Sequence, residues 1–239
     1  MDVDKGRGRV AFVAAVVVSS ALVLGGGLVL TDRDGTIGLL DAHTWARIEA
    51  VSIDVPTTTS ERWLERHAAH GLAAIDPQLS PEDMAVVERL GAALGLSDER
   101  AARWRWDALA EELGKLGEQT VPIEVEFNAV TAQEKNALLE RWPVLGDPFH
   151  PDFDATLKEN RDAIEQLLSS SPMAQQRAAL DERLRGLREA TNRAWVEEAR
   201  VFRVVRAYEN LHRAAALMRS GGANARYYQT LLACERGAL

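Results

Sequence analysis

The chain has 239 residues and a formal net charge of −8, with 36 Asp and Glu, 28 Lys and Arg, and one cysteine, Cys234. A lone cysteine excludes an intramolecular disulfide and any paired-cysteine zinc site, and the thiol is expected to be buried. Residues 31–170 hold 27 acidic and 13 basic residues, whereas 171–239 hold 7 and 12, an asymmetry that fits a charged partner or two parts of one molecule lying against each other.

Lys5, Arg7 and Arg9 precede Val10 to Leu30, a run of 21 residues without a charge. As a helix that run rises about 32 Å, enough for a bilayer core of roughly 30 Å. It exceeds a usual signal-peptide core and no small-x-small cleavage site follows it, so it reads as an uncleaved signal anchor in the lipid bilayer. The basic flank leaves residues 1–9 in the cytoplasm and sends the bulk of the chain to the extracytoplasmic side of the cell membrane, the periplasm in a Gram-negative cell. Cleavage near Gly25-Gly26-Gly27 would instead release a secreted soluble binding protein.

Thr36 to Ala50 predicts a short helix with Leu39, Leu40, Trp45 and Ile48. Val51, Ile53 and Val55 then alternate with polar residues, the period-two pattern of a strand. Thr58 with Glu61 makes a capping box before a helix bearing Trp63, Leu64, Ala68, Leu72 and Ile75. Ser80-Pro81-Glu82-Asp83 opens a second helix, which Gly95 closes. Ser97-Asp98-Glu99 caps a third, whose stripe Ala102, Trp106, Leu109, Leu113 and Leu116 marks a core-facing side.

Val121, Ile123, Val125 and Phe127 alternate with Glu124 and Glu126, so a second strand is expected to pair with Val51–Val55, because a lone strand leaves its backbone groups unpaired. Thr131 and Glu134 form another capping box, opening a helix that ends at Trp142-Pro143. Residues 143–152, with three prolines, read as a loop. A helix with Leu157, Ile164 and Leu168 precedes the longest element, Met173 to Arg219. That element would span about 70 Å unbroken, so a kink or a half packing on another chain is expected. The predicted fold is mainly α, with a transmembrane helix at 10–30 and a juxtamembrane segment at 31–59. A helical domain with a two-stranded β element covers 60–168, and a long helix with a C-terminal helix covers 172–239.

No catalytic, cofactor-binding or metal-ligating set emerges. His67 and His70 lie three apart, but no third ligand or HExxH spacing joins them. The arginine-rich helix, from Arg177 to Arg206, interleaves with Glu182, Glu189, Glu197 and Glu198, which predicts i,i+4 pairing on a solvated face and no nucleic-acid surface.

Leu28 to Ile37, LVLTDRDGTI, resembles the first motif of haloacid dehalogenase-like phosphatases, an apolar strand ending in DxDGT. The resemblance implies a metal-dependent hydrolase with Asp32 as nucleophile and Asp34 as acid/base, both holding magnesium. That fold needs buried parallel strands alternating with helices, and none follow. The leading expectation is a membrane-anchored interaction or accessory subunit with no cofactor. It would bind a protein partner or a second copy of itself through Trp195, Phe202, Val205 and Tyr208 on the long helix.

Overall fold

The computed structural model describes residues 38–69 and 73–237. Helix α1 is Leu39–Glu49 and α2 is Thr59–His67. Helix α3 runs as Pro81–Ala85, widens through a π-helical turn at Val86–Leu90 and closes as Gly91–Ala93. Then come α4 (Glu99–Arg141), a 3-10 turn (Pro143–Gly146), α5 (Phe153–Glu159), α6 (Arg161–Ser170), α7 (Pro172–Ser220) and α8 (Gly222–Glu235).

Local chemistry starts these helices. Thr58 Oγ1 accepts from the Glu61 amide and Glu61 accepts from the Thr58 amide, a reciprocal capping box. Asp98 caps α4 through the Ala101 amide, and Ser171 caps α7 through the Ala174 amide with Pro172 next. Gly95 (φ +69°) turns the chain out of α3 and Gly221 (φ +66°) turns it from α7 into α8, both in the left-handed region. Ser80 departs from expectation, because its hydroxyl donates to the Asp83 carboxylate at 2.7 Å and makes no cap bond.

Helices α4 and α7 organise the molecule. At 43 and 49 residues they extend about 64 and 74 Å, and they lie antiparallel: Glu99 meets His212, Glu124 meets Arg188 and Glu134 meets Arg177. The residues of α4 that turn from solvent follow a 4-3 rhythm: Ala102, Trp106, Leu109, Leu113, Leu116, Thr120, Ile123, Phe127, Val130 and Glu134. Helix α7 answers with Arg177, Leu180, Leu184, Leu187, Thr191, Ala194, Glu198, Val201 and Val205. This heptad seam is the signature of a two-stranded coiled coil.

At one end α1, α2, α3 and α8 enclose the pair to make a head. Ile48, Val86, Leu90, Ala102, Leu109, Val201, Val204 and Val205 share one core there, and Leu40, Leu64, Ala214, Leu217, Tyr228 and Leu232 share a second. The paired helices leave the head as an arm, whose far half is held by Ile123, Val130, Leu180 and Leu184, and α5 and α6 cap its tip. Residues 172–239 thus pack into the same cores as residues 38–168.

Several expectations are corrected. No β-strand occurs among the described residues. Residues 121–127 lie inside α4, where Ile123 and Phe127 face the seam while Val121 and Val125 point outward, 58 % and 64 % exposed. A four-residue spacing puts each pair on one helix face, so the apparent period of two is two helix stripes superposed. Residues 51–55 run outside any helix, and the Ser52 and Asp54 carbonyls bond to Arg203 instead of to a strand.

The Thr131–Glu134 pair opens no helix. Thr131 bonds back to the Phe127 carbonyl and Glu134 pairs with Arg177. Helix α7 is one unbroken helix whose apolar face is covered by α4 of the same chain. The acidic and basic parts do lie together, through pairs such as Glu65–Arg206 and Glu82–Arg236.

The membrane anchor and cell-membrane localisation are corrected as well. No helix among the described residues is long and apolar enough to cross a membrane. Val10–Leu30, on which that expectation rested, lies outside the described residues. Cys234 is exposed, not buried.

Candidate functional site: the polar centre of the head and the tip of the arm

Two regions stand out from the packing. The first is buried charge in the head. Arg47 on α1, 2 % exposed, donates through Nη1 to Glu61 on α2 at 3.0 Å and to Asp83 on α3 at 2.7 Å. Asn210 on α7 bridges the same two carboxylates from its amide nitrogen, at 3.2 and 3.3 Å. Burial raises the Glu61 carboxyl above its usual range against the pull of Arg47. Burial, and then the Arg47 charge, press the neighbouring His43 down to about 4.

Each carboxylate is engaged further: Glu61 accepts from the Thr58 amide at 3.1 Å and Asp83 from the Ser80 hydroxyl at 2.7 Å, while Ser60 beside them donates to Glu235 on α8 at 2.6 Å. With the Arg47 side chain 2 % exposed and those of Glu61 and Asp83 6 % each, the cluster joins α1, α2, α3 and α7. The guanidinium of Arg203, fully buried, reaches the carbonyls of Ala50, Ser52 and Asp54 at 2.6, 2.8 and 2.5 Å. It therefore pins the 50–55 segment onto α7, contrary to the solvated face expected for the arginine series.

The second region is the tip. Between Arg141 and Lys158 the chain has three aspartates, Asp147, Asp152 and Asp154, and no Lys or Arg. The turn at 147–153 is built from local bonds. Asp147 Oδ1 accepts from the Phe149 amide, the Asp147 carbonyl from the His150 amide, His150 Nδ1 from the Asp152 amide and the His150 carbonyl from the Phe153 amide. This bonded turn holds Phe149 out of the protein, 94 % exposed, while the neighbouring Trp142 is buried under Arg141.

The four residues expected to contact a partner are placed differently from one another. Val205 is fully buried in the head core, and Phe202 and Tyr208 pack against that core, Phe202 with its ring 5.1 Å from Trp106. Trp195 is 48 % exposed on the arm. Asp32 and Asp34 lie outside the described residues, as does His70. His67 stacks on Trp63, and His212 sits between the Ala73 carbonyl and Glu99 at 2.6 and 2.8 Å. Burial alone would raise Glu99, but hydrogen bonds from His212 and Arg103 outweigh it and hold the carboxyl low. Among the described residues no group of three or more His, Cys, Asp or Glu side chains could hold a metal ion.

Two open grooves lie on the arm. One, about 520 Å³, runs between α4 and α7 along Gln119, Pro122, Ile123, Glu126, Gly186 and Leu187. The other, about 420 Å³, lies at the tip along Asp154, Leu157, Lys158, Arg161, Ile164 and Glu165. Neither holds a nucleophile beside a base, the arrangement that covalent or acid–base catalysis needs. Phe149 was missed in the sequence, where a proline-rich stretch read only as a connector. Its signal was an aromatic residue between Pro148 and Pro151, in a loop with no apolar periodicity to bury it.

No family model matches the chain, and no curated protein or solved structure matches it.

Proposed function

We propose that this chain is an interaction protein that meets its partner at the far end of the coiled-coil arm, through Phe149. The observation that carries this reading is an almost fully exposed aromatic ring on a turn fixed by its own hydrogen bonds. Large exposed aromatics presented without loss of freedom are the usual anchors of binding interfaces. The partner's chemistry follows from the turn's own residues: Asp147 and Asp152 flank Phe149 in sequence, with no Lys or Arg between Arg141 and Lys158. That favours an apolar pocket with a rim of lysine or arginine, since opposite charges steer and register the approach.

The test places a photo-crosslinking phenylalanine analogue at position 149 of the full chain in its source cells, with Asp107 on α4 as control position. One recurrent adduct at 149, weakened by high salt and absent at 107, supports the reading. Purified with that adduct partner, Phe149→Ala should weaken binding roughly 30-fold, the effect of a 2 kcal/mol anchor, without loss of helix content. No adduct at 149, or equal labelling at both positions, refutes it. The hydrolase alternative through Asp32 and Asp34 has its own test: magnesium-dependent phosphatase activity that Asp32→Asn abolishes.

A further inference from the structure

We infer that the arm is jointed: α4 bends within residues 114–127 and α7 bends opposite, at Gly186, so that the tip moves against the head. Four observations coincide there. First, α4 carries Gly114, Gly117 and Pro122 within nine residues of an otherwise continuous helix. A Cβ built at either glycine would meet no atom within 4 Å. Close packing therefore does not require them, and what they add is backbone freedom.

Second, Pro122 has no amide hydrogen to give the Glu118 carbonyl, and prolines and glycines are where helices bend sharply. Next to it the Thr120 hydroxyl bonds back to the Leu116 carbonyl at 2.8 Å, an interaction that itself tilts helices. Third, Gly186 is the lone glycine of Pro172–Ser220. It stands beside Pro122 on the wall of the same open groove, and a Cβ there would also meet nothing.

Fourth, Ile123 and Phe127 join the seam here, but the stretch lacks the close ion pairs and buried polar ties present on either side. Toward the head, Trp106 and Arg105 are tied to Glu198 and Glu197 on α7. Toward the tip, Glu134 is buried against Arg177 at 2.6 Å. At the joint the polar links to α7 are solvent-facing: Glu124–Arg188, at 3.7 Å between half-exposed side chains, and the exposed bond from Gln176 to Glu126 at 3.0 Å. The strand-like pattern at 121–127 thus records a segment whose helix depends on its partner helix more than on its own residues. This joint stands whether or not Phe149 is the contact.

Spin labelling tests it. Cys234 is the chain's single thiol and is exposed on the head. Paired with Asp107→Cys it reports the arm before the joint, and paired with Asn136→Cys it reports the arm beyond. In the full chain the 234–136 distance distribution should be at least twice as broad as the 234–107 distribution. Gly114→Ala, Gly117→Ala, Pro122→Ala and Gly186→Ala combined should narrow it to the 234–107 width. Equal widths in the native sequence, or a breadth untouched by the combined substitutions, overturn the joint. Hydrogen exchange on the native chain gives a second reading. Amides of 114–127 should exchange at least tenfold faster than those of 101–110 and 128–138, and uniform protection along α4 overturns the proposal equally.

Discussion

Replacing Arg47 by methionine keeps most of the side-chain stem and removes the guanidinium that joins α1 to α2 and α3. Arg47 is 2 % exposed, and the Glu61 and Asp83 side chains beside it are each 6 % exposed. The variant leaves two buried carboxylates sharing the Asn210 amide and their local hydroxyl and amide donors. Removing one partner of a buried ion pair costs about 3–5 kcal/mol, because the other charge stays desolvated. Against a typical total of roughly 5–15 kcal/mol that is a severe loss. With an m-value of about 2.5 kcal/mol/M, a loss of about 4 kcal/mol lowers the urea midpoint by about 1.6 M.

The assay is urea unfolding followed by tryptophan fluorescence at pH 7. Two companions sharpen it. Adding Glu61→Gln and Asp83→Asn to Arg47→Met removes the stranded charge and should restore most of the midpoint. Acidification should shrink the deficit, because a carboxyl whose folded pKa is raised costs stability above that pKa and ceases to as it is protonated. Glu61 already lies high through burial. A deficit under 1 kcal/mol at pH 7, or a triple variant as weak as the single, refutes the account.

His43 gives the opposite pH dependence. Its pKa falls from about 6.5 unfolded to about 4 folded, so between those values the unfolded chain holds the extra proton. Stability should fall as pH drops from 6.5 to 4 by up to about 3 kcal/mol, partly offset by Glu61, and His43→Gln should flatten that slope in pH-dependent urea titrations. Arg203→Lys should cost about 2–3 kcal/mol, since an ammonium cannot span the three carbonyls that the planar guanidinium reaches; thermal unfolding measures it. Pro122→Ala should stabilise by about 2 kcal/mol, less than the full propensity difference of about 3 because α7 already holds the helix. In calorimetry that is a rise of roughly 4–8 °C.

Helix punctuation was legible where the signal is local. The Thr58–Glu61 box, Asp98 and Gly95 need only neighbours in sequence and the structure uses them. The equally local Ser80 cap and Thr131–Glu134 box are overridden, the first by a carboxylate partner and the second by the continuous α4 helix. The seam was half legible: the stripe from Ala102 to Leu116 was read correctly, and then Val121–Phe127 interrupted it. Val121 and Val125 are exposed apolar residues of high β propensity, and nothing local says that Leu180, Leu184 and Leu187 will cover Ile123 and Phe127.

Arg47 and Arg203 were illegible for a related reason. A buried arginine is recognised by its partners, and these lie 14 to 156 positions away. The flanks of Arg203, Phe202 before it and Val204-Val205 after it, were the available hint. The tip site was hidden otherwise: nothing in a proline-rich loop announces that it ends a lever of some 60 Å.

The strict 4-3 seam has a consequence for how such a protein can change in length. One residue added to α4 between Leu109 and Val130 would turn every later seam position by about 100° and bury the wrong face. Adding seven residues to α4 and seven to α7 at the same level preserves both faces and the antiparallel register. The separation of head from tip is therefore adjustable in steps of about 10 Å, and the arm behaves as a ruler with fixed graduations.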